Sequence, residues 1–106
     1  MKDVFVDTGG WFGLLVPEDE HYLKAGALFR RADAEDWNLV TTDAVVFETY
    51  ALLVNRARDG LTKARKMLDD LEAGLANRIL AFGPTLSCRA VERAYAASTQ
   101  ENVLRD

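Results

Sequence analysis

Two carboxylates have neighbours that suggest chemistry. Asp7 follows the apolar run Val4-Phe5-Val6 and precedes Thr8-Gly9-Gly10. A short β-branched and aromatic run predicts a strand covered on both faces, and Thr8-Gly9-Gly10 suits a tight turn. Ligands of open α/β sheets bind beyond the carboxyl ends of the strands, so a carboxylate placed there is poised to act. Asp and Thr are also common helix N-caps, and the local sequence alone leaves these two uses open. The second acid is Glu48, with Ala44 and Val45 before it and Ala51 and Leu52 after it at helical spacing. That spacing predicts a side chain on the core-facing side of a helix. A buried carboxylate without a partner is costly, and it raises its pKa or recruits a cation. For a lone buried Glu, a backbone amide or an arginine such as Arg56 is the commoner solution.

The elements that must position these acids follow from periodicity and turn chemistry. A first strand is expected over residues 3–7, then a short helical turn from Gly10 to Leu15. Pro17-Glu18-Asp19-Glu20 reads as a helix entrance, leading into a helix from Glu20 to Ala34 with Tyr22, Leu23, Ala25 or Gly26, Phe29 and Ala32 on its apolar side. His21 falls in its first turn as a surface residue. Asn38 to Thr42 is the second strand, and Thr42 or Asp43 caps a helix from Ala44 to Arg58 that stops near Gly60. Leu61, Ala64, Leu68, Leu71 and Leu75 mark a helix from Leu61 to Ala73. Ile79 to Phe82 is the third strand, and a fifth helix begins at Thr85 or Ser87 and carries Leu86, Val91, Ala94 and Tyr95. Cys88 within it reads as a small buried hydrophobe. From Ser98 onward the chain is polar and aperiodic.

Strands alternating with helical segments argue for an α/β fold with a parallel sheet and right-handed crossovers. In that arrangement the end of the first strand and the helix after the second strand meet, so that Asp7 and Glu48 face each other across one cleft. Two carboxylates about 4 Å apart repel by roughly 4 kcal/mol at an effective dielectric near 20. A divalent cation removes that penalty, and oxygen-only donors select magnesium or manganese over zinc. Such an ion polarises a phosphodiester and lowers the pKa of an attacking water.

Composition narrows the classes. A chain of 106 residues with 49% hydrophobic and 28% charged content is read as one globular domain, residues 1–106. The net charge of -4 supplies no basic footprint for nucleic acid, although acids gathered around metal ions still serve a nucleic-acid substrate. One cysteine excludes an intrachain disulfide, and one histidine excludes the familiar Cys/His zinc sites. No apolar stretch approaches the roughly 18 to 20 residues of a membrane span. Asp3 and Asp7 interrupt any signal-like apolar core. The chain reads as cytoplasmic, with no membrane partner.

Val4-Phe5-Val6-Asp7-Thr8-Gly9-Gly10-Trp11-Phe12 resembles the opening strand and turn of PIN-domain proteins. Thr41-Thr42-Asp43-Ala44-Val45-Val46-Phe47-Glu48-Thr49 resembles their second motif. The nearest likeness is to VapC-type toxins of toxin–antitoxin pairs, and it covers about residues 2–95. The resemblance implies a PIN-like three-layer fold, a short parallel sheet flanked by helices. It also implies a metal-dependent endoribonuclease using Mg2+ or Mn2+, acting on an RNA substrate, often a homodimer, and held inactive by a cognate antitoxin. Asp7 matches the family's first acid and Glu48 its second, both as metal ligands and catalytic residues. Thr8 matches a supporting hydroxyl position, and Asp43 stands where relatives usually carry Asn. The departure is the tail. Residues 96–106 do not match the family's last strands and helix, the third and fourth acids have no counterparts, and the exposed sheet edge is expected to promote self-association. The other readings are a catalytically inert PIN-like protein-binding domain, and a generic α/β domain in which Asp7 caps a helix and Glu48 pairs with Arg56.

Overall fold

The computed structural model describes residues 2–72, the backbone of 79–82, and residues 92, 93, 95 and 96. In chain order the elements are β1 (Asp3–Phe5), α1 (Thr8–Leu15), α2 (Tyr22–Ala34), β2 (Asn38–Thr42), α3 (Asp43–Arg56), α4 (Gly60–Glu72) and β3 (Ile79–Phe82). The strands form one parallel sheet in the order β1-β2-β3. Asp3 lies beside Asn38 and Phe5 beside Val40, while Thr42 lies beside Phe82. The mixed α/β class and the parallel sheet therefore agree with the sequence reading. Glu92, Arg93, Tyr95 and Ala96 are helical. The remainder of the expected fifth helix, with Cys88, and the tail lie outside the described residues.

Side-chain capping sets two of the helix starts. Asp7 has extended backbone and accepts from the Gly10 N–H at 3.0 Å, so α1 begins at Thr8, two residues before the expected turn. Thr42 does the same for α3, accepting from the Val45 N–H at 3.2 Å. Each cap satisfies one amide that the first helical turn leaves unpaired. α2 starts at Tyr22, and its N-cap residue His21 makes no side-chain cap.

The core is gathered around α3 and α4. Val46, Leu53, Ala64 and Leu68 are essentially sealed from solvent, with Tyr50, Met67 and Leu71 beside them. The α4 stripe behaves as its spacing predicts at Ala64, Leu68 and Leu71. Leu61 is instead exposed, and Met67 takes a core place. Gly60 lies so close to α3 that an added Cβ would collide with the Leu53 carbonyl, which explains why the helix pair turns on a glycine. The same core extends to α1 and α2 through Trp11, with Phe29 packed against it and the two rings 5.3 Å apart.

Two expectations fail here. Val4-Phe5-Val6 is not a strand covered on both faces. β1 ends at Phe5, stands at the edge of the sheet among the described residues, and leaves Phe5 56% exposed; of the three residues only Val6 is buried. Nor does Glu48 project into the core. The buried face of α3 is Val46, Thr49, Tyr50 and Leu53, and two residues of separation place Glu48 about 200° around the helix from Val46. Glu48 is exposed. The cause is that α3 is apolar on two sides: Val45, Ala51 and Leu52 are only half-buried and Ala44 is exposed. Apolar neighbours at i±3 and i±4 identified a face, but not the face that packs.

Candidate active site

Asp7 leaves the sheet where the chain turns from β1 into α1. Val6 donates its N–H to the Val40 carbonyl at 2.8 Å, which continues the ladder past Phe5. Asp7 follows two residues after the last β1 pair, Phe5 with Val40, and Thr42 ends β2 two residues after Val40. Both caps follow the C-terminal ends of parallel neighbouring strands, so α1 and α3 both start from this end of the sheet. The Asp7 carboxylate is exposed, and its Oδ1 accepts the Gly10 N–H. The cap bond engages Oδ1 alone, so Oδ2 is the oxygen outside it.

The other site residues sit differently. Thr8 is the first residue of α1 and is half-buried. Asp43 is the first residue of α3, and its Oδ1 accepts from the Ala44 N–H at 2.8 Å. Glu48 is five positions further along α3, about 140° around the axis and ~7.5 Å along it, so the two acids do not share a face. No ion pair holds Glu48 among the described residues, which removes Arg56 as its partner. No group of three or more His, Cys, Asp or Glu residues gathers into a metal-holding arrangement among the described residues.

A groove of about 420 Å³ opens between β1 and α2, and of these four residues it takes in only Asp7. Gly9 and Gly10 form its wall next to Asp7; a Cβ on Gly10 would come within 2.9 Å of the Val6 side chain. Phe5 and Leu28 stand on its apolar flanks, 56% and 49% exposed. His21 and Lys24 supply its basic side chains. Trp37 lines the groove and is fixed from outside by Lys2 and Arg31, at 4.3 and 5.1 Å from its ring centroid.

Comparison of the chain with family models, with curated proteins and with solved structures finds no significant match. The functional argument therefore rests on the residues themselves.

Hard oxygen donors at Asp7 and Glu48 fit magnesium or manganese in kind, since such ions commonly keep several waters and take only one or two carboxylates. Both side chains are solvent-accessible, and among the described residues neither is held in an ion pair. What positions Asp7 was not visible in its immediate sequence. Beneath it, the Trp11 indole N–H donates to the Thr41 hydroxyl at 3.2 Å, and that hydroxyl donates to the Val6 carbonyl at 3.4 Å. Thr41 is fully buried, so this bridge ties α1 to β1 and β2 just below the Asp7 turn. A buried tryptophan needs an acceptor for its N–H. That requirement, with a threonine in the adjoining strand, was the available signal.

Among the described residues no helix is long and apolar enough to cross a membrane.

Proposed function

We propose that the chain is a cytoplasmic PIN-like protein of the VapC type, a metal-dependent endoribonuclease in which Asp7 and Glu48 hold Mg2+ or Mn2+. The observation that carries this reading is the place of Asp7, an exposed carboxylate at the C-terminal end of a parallel strand with one oxygen outside its cap bond. Such an ion, when bound, polarises the phosphodiester and lowers the pKa of the attacking water. The chain's own part is to fix the first carboxylate. The cap bond holds the Asp7 side chain, and the Trp11–Thr41 bridge holds the turn that carries it. Glu48, exposed on α3, is the second carboxylate in this reading. Thr8 and Asp43 support the site through the first turns of α1 and α3. The resemblance adds a cognate antitoxin and a second copy of the chain as protein partners.

Isothermal titration of Mg2+ and Mn2+ into the full chain tests the metal site. Saturable binding is expected, with loss in both Asp7→Asn and Glu48→Gln, and cleavage of single-stranded RNA should disappear in the same two variants. A wild-type chain that binds neither ion and cleaves no RNA overturns this reading in favour of a catalytically inert domain.

A further inference from the structure

We propose that the groove between β1 and α2 is a subsite for one nucleotide of a single-stranded RNA. The base lies against Phe5 and Leu28, and a phosphate is met by Lys24 and His21 beside Asp7. This deepens the ribonuclease reading and rests on it only for which phosphate is cut.

Three features of the groove carry the assignment. Its apolar walls include a phenylalanine more than half exposed on the edge strand and a leucine nearly as exposed on the facing helix. Exposed apolar side chains converging on a concave space suit a flat ring, and unpaired bases are recognised by stacking on aromatic side chains. The groove's charge is the second feature. The chain as a whole carries -4 with His21 neutral, yet the lining holds one acid, Asp7, against the Lys24 ammonium and the imidazole of His21, whose Nε2 lies 3.3 Å from the Glu20 carboxylate. Lys24 makes no ion pair among the described residues, so its ammonium remains available to a phosphate. The third feature is shape. The groove is about 420 Å³ and runs up to the bare backbone of Gly9 and Gly10 beside the Asp7 carboxylate. A nucleotide seated there would therefore carry its backbone to the acid implicated in cleavage.

The test separates base from phosphate, and this subsite from metal chemistry. AMP, adenosine and inorganic phosphate are each titrated into the full chain in the presence of EDTA, with amide chemical shifts as the readout. AMP should bind saturably and more tightly than either fragment. Phe5→Ala and Leu28→Ala should each weaken AMP and adenosine, the former by about fivefold or more. Lys24→Ala should weaken AMP but leave adenosine unchanged. All three positions are exposed, and circular dichroism checks that each variant is folded. No saturation by AMP up to roughly 10 mM, or variants that bind as the wild type does, overturns the subsite. Asp7→Asn keeps the two proposals apart, because it should abolish cleavage without weakening AMP binding, since the charge it removes repels the phosphate. Nucleotide binding without metal-dependent cleavage counts against the ribonuclease reading alone, whereas cleavage without AMP binding counts against the subsite alone.

Discussion

The two sides of the molecule are built to different standards of burial. On the α3–α4 side, Val46, Leu53, Ala64 and Leu68 have at most 1% of their surface exposed. Helix approach is there so close that only a glycine fits at position 60. On the β1–α2 side, Phe5 and Leu28 are 56% and 49% exposed, and a groove runs between strand and helix. Apolar area of similar type is thus sealed in one region and left open to water in the other. Burial of a large aliphatic or aromatic side chain is worth about 1.5–3 kcal/mol. The open side gives up that stabilisation, and it is also the side where Asp7 meets the solvent. Stability is concentrated in the helix pair, and ligand access beside the edge strand.

Paired truncations break or sharpen this contrast. Leu53→Ala removes a fully buried side chain and should lower unfolding stability by about 2–5 kcal/mol. Phe5→Ala should change it by no more than about 0.5 kcal/mol. Urea denaturation followed by circular dichroism compares the two directly. A loss at Phe5 as large as that at Leu53 would show that the edge strand is covered in solution, and the contrast would collapse.

A smaller effect is expected where the two sides join. The Trp11–Thr41 bridge is the buried polar link under the Asp7 turn. Thr41→Val leaves the indole N–H buried without an acceptor and should cost about 1–3 kcal/mol. In Trp11→Phe/Thr41→Val both partners are gone, so the double variant should lose less than the sum of the two single losses. Strict additivity in that cycle would mean that the bridge does not form, and that Asp7 is positioned by its cap alone.

What could be read from the sequence follows the same division. β2 was legible to the residue, because Asn38 to Thr42 is bounded by a turn on one side and a cap on the other. The α4 stripe was legible because its apolar and charged faces are separate. α3 was misread because both of its sides are apolar, and local spacing cannot tell which side meets the core; that is a property of tertiary packing. β1 was misread for a related reason. An apolar run of three residues fits a buried strand and an edge strand equally well, and only the sheet order distinguishes them. The open groove, with Phe5 and Lys24 on different elements, had no signature within any one segment. At Asp7 the sequence left capping and chemistry as alternatives, and the structure shows that the cap uses one carboxylate oxygen and leaves the other.

That double use supplies the smallest effect and a control for the largest claim. Asn caps helices as well as Asp, whereas Ala does not. Asp7→Ala should therefore lower stability by about 1 kcal/mol, close to the loss expected for Thr42→Ala at the neighbouring cap, while Asp7→Asn should change it by only a few tenths. Thermal unfolding of the three variants against the wild type checks this order. If Asp7→Asn proves as damaging as Asp7→Ala, the carboxylate's charge contributes more at this site than its cap bond does. A loss of metal binding in Asp7→Asn would then have to be measured at a temperature where the variant is fully folded. If the expected order holds, the same substitution removes a metal ligand from an otherwise intact turn, and any loss of cleavage reports on chemistry alone.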